Sequence, residues 1–182
     1  MRVNHRGHVH SLLGDRPFFS QHLPAGLQLA LNSVLAVSYQ NRPQTSGSTP
    51  IVNEDLAQRI RQIKQDWPDC IDPRIALFKL YFRAGNYLQA EREVWDAIGC
   101  LCASLGIRKN YRLMQPDQLA WLENDSEQRH LLFCLKALGV IRLRRGKVAM
   151  AKSVLTQLQA LDPHDEIGGA SYLHIAESFE YD

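Results

Sequence analysis

The stretch LKALGVIRLRRGKVAMAKSVLTQLQALDP, residues 135–163, decides the fold. Apolar residues recur at helical spacing on both sides of Gly146, and Pro163 closes the second run. So short a break forces the two helices to fold back on each other as an antiparallel hairpin. Ala151 is small enough to let the second helix approach the first closely, and Leu155 and Leu158 continue its buried face.

A second hairpin lies upstream in IALFKLYFRAGNYLQAEREVWDAIGCLC. With Gly146 placed over Gly85, Leu138 falls on Leu77, Ala151 on Ala90, Leu155 on Val94 and Leu158 on Ala97. Each match has a physical reason: a glycine to turn, a small residue for close approach, apolar residues for the buried stripe. Asp72 and Pro73 supply a cap and a first-turn proline for the first helix of this pair. Its second helix is expected to end near Gly106.

The order of Leu138, Gly139, Gly146, Ala151, Leu155 and Pro163 resembles a tetratricopeptide repeat, with its leucine-glycine pair, turn glycine, small alanine, bulky apolar residue and closing proline. The upstream copy keeps Leu77, Tyr81, Gly85 and Ala90 but has neither the paired glycine nor the proline. Leu56, Ile60, Ile63 and Pro68 stand where the second helix of a preceding half-repeat would lie, behind Asn53 as N-cap and acidic Glu54 and Asp55. The two turn glycines are further apart than the family's period of roughly 34 residues, which makes the segment around Trp121 an insertion. Within it, Pro116 and Asp117 are expected to start a short helix through Leu119, Trp121 and Leu122. Asp125 or Ser126 caps the next helix, and a last short one over Ala170 to Ser178 can close the stack.

These elements make an all-α protein: a tetratricopeptide-like stack of antiparallel hairpins over residues 53–182, preceded by an N-terminal arm, residues 1–52. The arm holds one amphipathic candidate, Leu27 to Tyr39, and ends in the linker-like QNRPQTSGSTP. It is expected to be mobile, or ordered only by docking.

Composition excludes several function classes. A net charge of +2 with a pI near 8.4 is too mild for a nucleic-acid binder that works by charge alone. Arg142, Arg144, Arg145 and Lys147 crowd a helix C-terminus, where the helix dipole favours cations, and no stacking aromatics are interleaved with them. The apolar run LPAGLQLALNSVLAV is too short and too interrupted by Gln28 and Asn32 for a membrane span, and makes a poor signal peptide. Cys70, Cys100, Cys102 and Cys134 read as reduced thiols of a cytoplasmic protein, and the two-residue spacing of Cys100 and Cys102 points them to different helix faces. His5, His8 and His10 have no supporting acid or cysteine nearby, so no metal is expected. Neither a phosphate-binding glycine loop nor a metalloprotease or nucleophile-elbow motif is present, and Ser171 with His174 lacks an orienting third group. The chain is not expected to be an enzyme or to carry a cofactor.

What the resemblance implies is a protein-binding module. The first helices of such repeats line a groove, which here places Lys79 and Arg83 from one copy beside Lys136 and Arg144 from the other. Phe82, Phe133 and Val140 would add apolar contacts. A groove of this chemistry suits an acidic segment or a chain-terminal carboxylate of another protein. The architecture is similar to that of bacterial chaperones and accessory factors of specialised secretion or of larger assemblies, so the expected role is adaptor or chaperone. The alternative is a regulatory helical-repeat protein in transcriptional or nucleic-acid control. Open stack ends also make self-association an expectation.

Overall fold

The computed structural model describes residues 23–40, 54–124 and 126–179. Among them are seven α-helices and no strand. They are α1 (Ala25–Gln40), α2 (Glu54–Asp66), α3 (Asp72–Arg83), α4 (Tyr87–Ser104), α5 (Glu127–Arg144), α6 (Val148–Leu161) and α7 (Ala170–Ser178), with one 3-10 turn at Tyr111–Leu113.

The two hairpins are α3 with α4 and α5 with α6, and each turns on a glycine. Gly85 and Gly146 take φ of 72° and 69°, a region open to glycine and strained for other residues. The backbone bonds match as well. Asn86 N–H reaches Tyr81 O and Lys147 N–H reaches Arg142 O, both at 2.9 Å, which satisfies carbonyls that each helix end would leave orphaned. The small residue at Gly139 has a steric cause: a Cβ there would come within 2.6 Å of Leu155. Helix α6 lies that close to α5.

Successive hairpins form two layers. Helices α3, α5 and α7 make one, joined by the rings of Phe78 and Phe133 at 6.1 Å and by direct packing of α5 on α7. Helices α2, α4 and α6 make the other. Lys64 on α2 pairs with Glu93 at 2.9 Å and Asp96 at 3.2 Å on α4, and Asp96 also receives Arg74 of α3 at 3.1 Å. Helix α4 packs along both α3 and α5, so the hairpins share one core. Helix α5 sits at its centre and is buried on nearly every side from His130 to Arg142. Leu131, Leu132, Leu135, Leu138 and Ile141 are fully withdrawn from water, each stabilising the fold by roughly 1.5–3 kcal/mol before entropy is counted.

Several local expectations change. Helix α3 starts with Ile71 as its N-cap, already in helical geometry and without a side-chain bond, and Asp72 is buried in the first turn instead of capping it. Ser126 caps α5, accepting Arg129 N–H at 3.2 Å, while Asp125 lies outside the described residues. No α-helix forms from Pro116 to Leu122. That segment is a series of turns, folded around Trp121, whose indole N–H donates to Gln115 O at 2.8 Å and whose ring is buried. Seven residues are too few to repay helix nucleation when the one large side chain has a better place to go.

The insertion has an architectural role. Helices α4 and α6 hardly touch directly; Tyr111 bridges them, tilted on Trp95 of α4 at 6.2 Å and hydrogen-bonded to Ser153 of α6 at 3.3 Å. Met114 is buried beside it, and its carbonyl accepts from Gln157 Nε2 at 2.8 Å.

The boundary drawn at residue 52 falls between α1 and α2. Helix α1 packs on α2 through Leu27, Leu31 and Val34. His5, His8 and His10, the linker sequence after α1, and Asn53 lie outside the described residues.

Candidate protein-binding face

Helices α3 and α5 carry the basic residues singled out by spacing, and Phe133 brings two of them together. The Lys79 ammonium lies 5.7 Å and the Lys136 ammonium 5.4 Å from the Phe133 ring centroid, within cation-π range. Both lysines are half-buried, and their pKa values are lowered. Burial is the main cause for Lys79, followed by the charge of Arg83 one turn away, and together they bring it to about 8. Burial also lowers Lys136, against the pull of Asp165 and Asp162.

The loop after α6 fixes Lys136. Asp162 is buried, and its carboxylate accepts the N–H of Glu166 at 2.9 Å and of Ile167 at 2.8 Å. The clamped backbone turns Ile167 O toward Lys136, which donates to it. Asp165, at φ 55°, accepts from Gly169 and Ala170 and so caps α7 from outside the helix.

The other expected contacts differ in availability. Arg83 and Arg144 are exposed, each in the last turn of its helix. Phe82 is half-buried with its ring 5.5 Å from that of Tyr87. Val140 is only 4% exposed and offers almost no surface to a partner, because the central position of α5 leaves little of it facing water. Of the expected contacts, Lys79, Phe82, Arg83, Lys136 and Arg144 keep surface open to water, while Phe133 is 9% exposed.

A second cluster was not foreseen. Glu91 of α4 is 7% exposed and takes two guanidinium groups: Arg142 Nε at 3.1 Å on one oxygen and Arg145 on the other. Arg142 is itself 4% exposed, also donates to Met150 O at 3.3 Å, and lies 5.7 Å from the Trp95 ring. Burial pushes the Glu91 pKa upward, and the bonds from Arg142 and Arg145 outweigh it to leave the pKa lowered. Two of the four cations in the arginine-rich turn thus hold the hairpins together. The sequence did contain a signal. Glu91 shares a helical stripe with Val94 and Ile98, and an acid on a buried stripe requires a cation opposite.

The cysteines are free thiols; Cys102 and Cys134 are buried, and burial drives Cys134 up to about 12. Ser171 and His174 are both exposed on α7. Among the described residues no group of three or more histidine, cysteine or acidic side chains is placed to hold a metal, and no helix is long and apolar enough to cross a membrane. No family model, no curated protein and no solved structure matches this chain.

Proposed function

We propose that this chain is a cytoplasmic adaptor or chaperone of tetratricopeptide-like build, which holds an acidic segment of a partner protein against the α3–α5 face. The observation that carries this reading is the array of Lys79, Arg83, Lys136 and Arg144 on the corresponding helices of two successive hairpins. The two lysines are braced on one aromatic ring. Cations held in place by packing lose less entropy on meeting a carboxylate than free surface lysines do. Arg83 and Arg144 supply forked donors for bidentate pairing, and Phe82 offers adjacent apolar surface.

The arginine-rich turn contributes less to this face than its composition suggests, since Arg142 and Arg145 are engaged by Glu91. That leaves Arg144 and Lys147 from the run, a small charge set for a phosphate backbone.

The test compares proteins captured from the source organism by the unaltered chain and by an Arg83→Glu, Arg144→Glu variant. Both sites are exposed, so the fold is expected to survive. A captured protein with an acidic segment should be lost from the variant. An identical set of captured proteins overturns the proposal.

A further inference from the structure

Helix α7 leads into acids. Glu177 stands in its last turn, and Phe179, 60% exposed, is followed by Glu180, Tyr181 and Asp182, so the stretch ESFEYD, residues 177–182, holds three carboxylates and no cation. The end of a helix is the negative pole of its dipole, where cations are favoured and carboxylates are not. Helices α3 and α5 obey this with Arg83 and with Arg142 and Arg144, whereas α7 has no basic residue in its last turn. A helix end of that charge calls for a cation from elsewhere.

The fold brings one close. At the start of α7, Lys136 of α5 donates to Ile167 O, and Gly169 sits against Leu158 of α6, where a Cβ would come within 2.6 Å. Only three residues of α6 lie beyond Leu158. Because α7 packs along α6, it must run back toward the start of that helix, parallel to α5. Helix α5 rises about 12 Å from Lys136 to Arg144, and α7 rises about 14 Å over its length, so the end of α7 arrives level with Arg144. Arg144 is exposed and pairs with no carboxylate among the described residues, while its neighbours Arg142 and Arg145 both hold Glu91.

Reach decides which cation is available. Packed helices lie about 8–10 Å apart, and three extended residues span at most about 11 Å. The three residues after Phe179 are therefore long enough to cross from α7 to α5, and too short to reach Arg83 on α3, one helix further on.

We propose that the chain's own acidic segment occupies part of the partner site: Glu180 and Asp182 pair with Arg144, and an acidic partner has to displace them. This rests on the partner-binding reading of Arg144 given above. A tethered segment competes at an effective concentration in the millimolar range, so isolated acids do not dislodge it. A partner segment that bridges Arg144 and Arg83 does, because the tether cannot follow it to α3. The contact thus selects extended acidic segments.

The test follows the amide resonances of residues 180–182 and the Arg144 Nε–H resonance in the full-length protein. Arg144→Gln should shift the Glu180 and Asp182 amides, Glu180→Gln with Asp182→Asn should shift the Arg144 Nε–H, and Arg83→Gln should move neither. The peptide acetyl-Glu-Phe-Glu-Tyr-Asp-amide, added as the probe, should bind the Glu180→Gln, Asp182→Asn chain about three times more tightly than the unaltered one. Amides of residues 180–182 that are indifferent to Arg144→Gln overturn the proposal, whatever the peptide does. Shifts that grow with protein concentration assign the contact to a second copy and overturn it as well. Equal peptide affinity for the two chains overturns the competition. Reciprocal shifts with no peptide bound to either chain support the intramolecular contact and refute the partner site, which keeps the two failures apart.

Discussion

Removing the acid from the buried cluster tests the account of how the hairpins are joined. Glu91→Leu leaves Arg142 facing an apolar group where its carboxylate stood, with only 5% of its side chain in contact with water. At 3.1 Å the lost attraction is about 5 kcal/mol for an effective dielectric of 20. The carboxylate no longer has to be desolvated, which offsets part of this, and breaking such pairs costs roughly 3–5 kcal/mol. Arg145, with 21% of its side chain exposed, can turn to water and adds little. A loss of about 3 kcal/mol corresponds to a fall in Tm of roughly 6–12 °C for a chain of this size. Glu91→Leu with Arg142→Leu removes the stranded charge and should return to within about 1 kcal/mol of the unaltered chain. Because the Glu91 pKa is lowered in the folded state, its contribution is complete above the unfolded carboxylate value of about 4.3 and is lost as pH falls through the folded value. The gap between the chain and Glu91→Leu should therefore narrow in acid. Urea unfolding at pH 7 and pH 3.5 measures both effects. A single variant costing under about 1 kcal/mol, or a double variant as unstable as the single, would refute the reasoning.

Two other outcomes follow from named contacts. Gly139→Ala sets a methyl group 2.6 Å from Leu155 and should cost about 1–3 kcal/mol by thermal unfolding, with Gly139→Ala plus Leu155→Val recovering part of it. Lys79 has a folded pKa of about 8 against 10.5, so its burial penalty is complete below pH 8 and fades as pH rises toward 10.5; Lys79→Met should stabilise the chain by roughly 1–3 kcal/mol at pH 6.5 and far less at pH 10 in urea unfolding.

Much of the fold was legible because hairpins announce themselves locally. Gly85 and Gly146 turn where the apolar period breaks, and Ser126 begins the helix that follows the insertion. The equivalence of the two copies also explains a mismatch between them. Where the second hairpin has Gly139 facing Leu155, the first has Phe78 and Val94 in the same places, and the larger Phe78 ring is taken up against Phe133 of the next hairpin. Long-range facts were harder to read. Nothing within a few residues of Val140 says that α5 is enclosed by neighbours on several sides, and nothing near Asp162 says that its carboxylate orders the loop holding Lys136. Arg142 and Arg144 look alike in sequence, but two positions on a helix turn one toward Glu91 and the other to water.

The bridge made by Tyr111 has a geometric consequence. Between α4 and α6 the 3-10 turn at Tyr111 and the buried Met114 are interposed, whereas α3 and α5 meet through the rings of Phe78 and Phe133. The insertion therefore works as a wedge between two helices that barely touch, carrying contact from Trp95 on one to Ser153 on the other. Trimming it at Tyr111 would cut both ends of that link at once and leave α5 as the only helix packed along both α4 and α6 among the described residues.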